Sequence, residues 1–110
     1  MLHYDLYLSG PMTGIKDKNH TQFSKAAHAL RTATYAVMNP WELDKTTPCS
    51  TWEESLRRDI AALMRCKGIA TLPGWKKSKG ASLEVYIAKT LKWSVHPVSY
   101  WLKEAKLALH

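Results

Sequence analysis

The segment Ser78-Lys79-Gly80-Ala81-Ser82-Leu83-Glu84 gathers the residue types best suited to chemistry in this chain. Small residues at a helix start let an anion reach the free backbone N–H groups, and the positive end of the helix dipole favours it, so a phosphate fits at Ser78 and Gly80. Lys76, Lys77 and Lys79 flank that position and raise its potential, although a solvated loop would carry the same lysines. Glu84 lies a turn or so farther on. The same dipole is expected to keep it ionised, able to attack a carbon as a carboxylate nucleophile, while the plainer role of such an acid is to complement the dipole. Trp41 and Trp75 each sit just past an expected strand and offer a flat surface to a ring, or ordinary packing at the sheet edge.

Four short β-prone runs alternate with helical patterns around these residues. Residues 4–8 form a strand that stops at Ser9-Gly10-Pro11, and Phe23, Ala26, Ala27 and Leu30 trace one face of a helix over 20–33. A second strand runs over 35–38 to Asn39-Pro40, and residues 41–50 read as a loop. Thr51-Trp52-Glu53-Glu54 fits a capping box that opens a helix to about Cys66. A third strand covers 68–72, a helix 80–92, a fourth strand 93–97 and a terminal helix 100–109. This order implies one domain over residues 1–110, a three-layer α/β/α fold with a flavodoxin-like parallel sheet of four to five strands. Ligands in such sheets bind beyond the carboxyl ends of the strands, where Gly10, Asn39, Trp41, Gly74 and Trp75 should share one rim.

The 110 residues suit a single core, and the composition, 45% hydrophobic and 23% charged, is that of a globular protein. No apolar run approaches the roughly 20 residues that span a bilayer, and Met1-Leu2-His3-Tyr4-Asp5 lacks the start of a signal peptide, so a cytoplasmic protein without a membrane partner is expected. Cys49 and Cys66 are too few for a disulfide framework and read as free thiols. The five histidines form no ligand spacing, so no metal and no cofactor are expected. The net charge of +7 divides unevenly: residues 1–55 carry five Lys/Arg against six Asp/Glu, and residues 56–110 eleven against three. The second half therefore wants an anionic partner, and charge alone does not choose between a nucleic acid and one nucleotide phosphate.

Tyr7-Leu8-Ser9-Gly10-Pro11-Met12-Thr13-Gly14, Asn39-Pro40, Asp59, Gly68-Ile69-Ala70-Thr71-Leu72-Pro73-Gly74-Trp75 and Ser78-x-Gly80-Ala81-x-x-Glu84, in this order and spacing, resemble the nucleoside 2-deoxyribosyltransferase-like superfamily, in particular its short phage- and prophage-type branch of undefined function. The resemblance spans residues 4 to about 97. It implies that Glu84 is a nucleophile, that Asp59 orients the sugar and assists the leaving base, and that Tyr7 holds the nucleophile or sugar. It also implies that Ser78 binds a 5′-phosphate, with Gly10 and Met12 in the first substrate loop. Two departures stand out. Pro11 and Thr13 replace the Ser and Arg groups with which deoxynucleotide hydrolases of the superfamily hold phosphate, and Cys66-Lys67-Gly68 replaces the usual Cys-Asp-Gly.

The activity implied is cleavage or transfer of a nucleoside or nucleotide N-glycosidic bond. A non-catalytic binder of a nucleotide-like ligand is the alternative, and Lys67 leans towards it. A basic nucleic-acid-binding protein is possible but less favoured, because no recognised motif supports it. A homodimer or larger assembly is expected, since Tyr100, Trp101, Leu102, Leu107 and Leu109 offer a partner surface and sites in the superfamily are often completed by a neighbouring subunit.

Overall fold

The computed structural model describes residues 4–108. Strands β1 (Tyr4–Ser9), β2 (Val37–Met38), β3 (Cys66–Thr71) and β4 (Ser94–Pro97) form one parallel sheet in the order β2-β1-β3-β4. Leu6 and Tyr7 of β1 pair with Val37 and Met38 on one side, while Leu8 and Ser9 pair with Ala70 and Thr71 on the other. Five helices cover the sheet: α1 (His20–Thr32), α2 (Pro40–Thr46), α3 (Trp52–Leu63), α4 (Lys79–Thr90) and α5 (Val98–Ala108). The result is the three-layer α/β fold with a flavodoxin-like parallel sheet that the alternating pattern calls for.

Side chains of a strand alternate between faces, so β1 divides its residues between two cores. Leu6 and Leu8 join Phe23, Ala27 and Leu30 of α1, with Val98, Trp101 and Leu102 of α5 packed against them. Tyr7 joins Leu63 of α3, Ile69 of β3, and Val85 and Ala88 of α4 on the opposite face. Because all strands are parallel, Gly10, Asn39 and Gly74 follow the carboxyl ends of β1, β2 and β3 on one rim, as expected.

The expected loop over 41–50 begins instead as helix α2. Its start signals are local: Asn39 Oδ1 accepts from the Trp41 N–H at 3.0 Å, and Pro40 occupies the first helical position, where its missing N–H costs nothing. Arg31 of α1 then grips Glu42 through two hydrogen bonds of 2.7 and 2.8 Å. The capping box of α3 is present, with Glu54 N–H donating to Thr51 Oγ1 and the Thr51 N–H donating to Glu54. That helix stops at Leu63, and β3 starts at Cys66, two residues earlier than read from sequence. Gly68 makes the pairing with β4 possible, since a Cβ there would lie 2.9 Å from the Ser94 carbonyl oxygen.

Part of the expected partner surface at the end of the chain is used within the chain. Trp101 donates from Nε1 to Ile69 O at 2.9 Å, and Trp101 and Leu102 pack on the apolar core, leaving Tyr100 and Leu107 exposed. Leu109 lies outside the described residues, as does the Met1–His3 start. No described helix is long and apolar enough to cross a membrane.

Candidate active site

Three acidic side chains and one phenol converge beyond the carboxyl end of β1. Tyr7 and Ser9, two residues apart on one strand, project from the same face, and α4 lays Glu84 across them. The Tyr7 hydroxyl donates to Glu84 Oε2 at 2.7 Å and the Ser9 hydroxyl donates to Oε1 at 2.9 Å, so each carboxyl oxygen has its own donor. All three side chains are buried. Asp59 projects from α3 into the same cavity, which has a volume of about 420 Å³. Gly10 and Met12 of the first loop and Ser78, Gly80 and Ala81 at the start of α4 complete its wall.

The expectation that the dipole keeps Glu84 ionised does not hold. Glu84 lies in the second turn of α4, past the first turn where the dipole acts, and is only 5% exposed. Burial dominates and pushes its pKa up to about 8; the Tyr7 and Ser9 hydrogen bonds oppose that rise, and the charge on Asp59 adds to it. Asp59 is pushed up to about 6, again by burial, against the pull of Arg58. The Tyr7 phenol is held well above its ordinary range by burial and by the Glu84 carboxylate, so it remains a donor.

Asp59 is paired with Arg58 in the cavity wall. Arg58 Nε and Nη2 both donate to Asp59 Oδ1, at 3.0 and 2.9 Å, and Nη2 also meets Asp44 Oδ1 at 2.7 Å. Lys18 closes the chain on Asp44 Oδ2 at 3.1 Å. Burial would raise the Asp44 pKa, and the Arg58 and Lys18 contacts bring it below the ordinary value. Every hydrogen bond to Asp59 among the described residues falls on Oδ1, which leaves Oδ2 for a ligand.

The remaining residues singled out from the sequence divide. Ser78 caps α4 by accepting from the Ala81 N–H at 3.2 Å, and the Lys79 and Gly80 N–H groups at that helix start have no helical acceptor. Gly10 lines the cavity, and its close approach is to protein: a Cβ there would come within 2.7 Å of Leu72 Cβ. Gly74, with φ +83°, lines a groove next to the cavity, and Trp75 lines a second groove beyond it. Asn39 and Trp41 do not line the cavity. Asn39 is consumed as the cap of α2, and Trp41 stacks on His20 at 3.9 Å while donating from Nε1 to Asp17 O, so it braces the loop ahead of α1.

Sequence reasoning missed Ser9, Asp44 and Trp52. Ser9 carried a usable signal, a polar residue two positions after Tyr7 and so on the same face of the strand. Trp52 is 45% exposed at the first turn of α3 and lines the cavity mouth. Lys67, the departure that favoured a binder, is exposed near the amino end of β3, on the rim opposite Glu84. Cys66 is buried with its thiol pushed up to about 12 by burial, and both cysteines are free. Among the described residues no group of three His, Cys, Asp or Glu side chains could hold a metal ion.

A family model described as a domain of unknown function (DUF4406) matches residues 4–96, and the chain belongs to that family. No curated protein and no solved structure matches it.

Proposed function

We propose that this member of the DUF4406 family cleaves or transfers the N-glycosidic bond of a nucleoside or nucleotide, and that the domain is a branch of the nucleoside 2-deoxyribosyltransferase-like superfamily. The observation that carries the reading is the clamp on Glu84, with Tyr7 and Ser9 on its two oxygens and Asp59 in the same cavity. With pKa values of about 6 and about 8, the two buried acids hold one proton and one negative charge between them near neutrality. An N-glycoside needs that combination: a carboxylate for the carbon and a proton for the departing base.

In the reaction the C1′–N bond breaks and its electron pair leaves with the base, while the shared proton, which rests on Glu84 near neutrality, passes through Asp59 to the base and leaves Glu84 as the carboxylate. A Glu84 oxygen forms an ester bond to C1′. Positive charge growing on the sugar favours the ionised form of Glu84 at the moment it is required, and the two hydroxyl donors hold it in line. Water or a second base then attacks C1′ and frees Glu84. Ser78, Gly80 and Lys79 support a 5′-phosphate, and self-association of the chain belongs to the same reading. Its test is incubation with a panel of deoxynucleosides and deoxynucleotides while free base is measured. Release by the wild type and its loss in Glu84→Gln are expected; no release from any member of the panel refutes the enzyme.

A further inference from the structure

The cavity holding Glu84 is the smallest part of a longer depression. Its mouth opens into a groove of about 880 Å³, with which it shares Thr13, Trp52, Ser78 and Gly80. That groove runs on into another of about 780 Å³, sharing Gln22, Pro73, Gly74 and Lys77. The path follows the carboxyl rim of the sheet from the α3/α4 side to the α1/α5 side. Small ligands fill roughly 300–1,000 Å³, so one nucleotide is accommodated by the cavity and the near end of the first groove. The rest has no occupant in the proposed reaction.

Charge is sorted along this path. Asp44, Asp59 and Glu84 line the inner cavity together with Lys18 and Arg58, whereas among the described residues the lining of neither outer groove includes an acid. The outer grooves are edged instead by Lys25, Lys76, Lys77 and Lys79, over a floor that includes Ala26, Ala29, Leu72 and Val98. Trp52 stands exposed where cavity and groove meet. A cationic edge with an apolar floor and an open indole is what a single nucleic-acid strand requires, phosphates to the lysines and bases to the flat apolar surface. A free nucleoside uses none of it.

We propose that the outer grooves bind single-stranded DNA, and that the nucleotide entering the cavity is one residue of such a strand. The inference rests on the glycosidic reading for the chemistry in the cavity, but its binding half stands on the grooves alone. A strand of six nucleotides lies within the roughly 4–16 that a small domain covers. Four lysine contacts predict a slope of log K against log salt near −3, at about −0.7 per phosphate on a single strand.

The test measures fluorescence anisotropy with a labelled mixed-sequence DNA hexanucleotide, competed with each deoxynucleoside monophosphate and with a hairpin duplex. The hexanucleotide should bind at least tenfold tighter than any monophosphate at low salt, and tighter than the duplex. Lys25→Glu, on the exposed face of α1 and far from the cavity, should weaken the hexanucleotide several-fold and leave monophosphate binding unchanged. Adding Lys76→Glu should flatten the salt slope by about 1.4 or more. Equal affinity for hexanucleotide and monophosphate, or a salt slope that the two replacements leave untouched, overturns the proposal. Preference for the duplex also overturns it. Base release assayed in parallel separates the two readings: lysine-dependent strand binding without release from any substrate sinks the glycosidic reading alone, and release from monophosphates without strand preference sinks the groove alone.

Discussion

The two faces of the sheet are built from one strand and do opposite things. Towards α1 and α5, β1 presents Leu6 and Leu8, and everything they meet in the buried core is apolar. Towards α3 and α4 the same strand presents Tyr7 and Ser9, and the helices answer with Asp59 and Glu84 among Leu63, Val85 and Ala88. One face gains stability from burial. The other uses burial to move two carboxyl groups out of their ordinary range, at a cost in stability, because desolvating a carboxylate is unfavourable unless its partners compensate. The division follows from the two-residue period of a strand, which lets four consecutive residues serve a core and a site without compromise.

The sharpest way to break this comparison is Glu84→Gln. Base release should fall by orders of magnitude, with ligand affinity changing far less, because only the charge needed in the transition state is lost. The same replacement should stabilise the fold. A carboxyl whose folded pKa is raised from 4.5 to about 8 favours folding fully below pH 4.5 and loses that contribution as pH rises through about 8. Denaturant melts at pH 8.5 should therefore show Glu84→Gln more stable than wild type by a few kcal/mol, with the gap closing near pH 4. A destabilised Gln variant at pH 8.5 would mean that the site face contributes stability like its opposite.

The complementary change is on the apolar face. Phe23 is fully buried, and Phe23→Ala should cost about 3–5 kcal/mol in urea unfolding. Turnover per folded molecule should survive it, since Phe23 packs across the sheet from Glu84. A smaller effect, but a more diagnostic one, is the pH profile of kcat/KM. Below about pH 6 both acids are protonated and no nucleophile exists; above about pH 8 both are ionised and no proton remains for the base. The rate should fall about tenfold per pH unit outside that window. A rate that stays flat up to pH 10 would remove the shared proton from the mechanism.

How legible this was in the sequence depended on where each signal lay. The helices with periodic apolar faces and the capping box at Thr51 were readable because the information is local. Helix α2 was missed although Asn39-Pro40 announced it, because Pro48 and the Ser/Thr residues nearby outweighed the cap. Glu84, Asp59 and Tyr7 could be named from the resemblance, and one cavity does hold them. Their electrostatics could not be read. The dipole argument for Glu84 is local, while the desolvation that reverses it comes from a strand 75 residues away in sequence. Trp41 failed for a related reason: its position just after a strand was right, but its neighbour His20 belongs to α1 and took its face.

The smallest and most exacting prediction concerns Ser9, which separates holding Glu84 from merely filling space beside it. Its hydroxyl is 2.9 Å from Glu84 Oε1 and 3.4 Å from the Ala81 carbonyl, and Tyr7 still holds the other carboxyl oxygen. Ser9→Ala removes one oxygen atom from a buried site and should cost only about 1 kcal/mol of stability. The lost donor served the ionised form, so the Glu84 pKa should rise and the alkaline limb of kcat/KM should move upward by up to about one pH unit. At pH 7 the rate should drop several-fold, because the shared proton then rests more on Glu84 and less on Asp59, and raising the pH within the window should leave that deficit in place. Packing alone would lower stability and leave the limb in place. An unmoved limb would therefore show that Tyr7 alone positions Glu84, and that Ser9 belongs with Leu6 and Leu8 among the residues that only build the core.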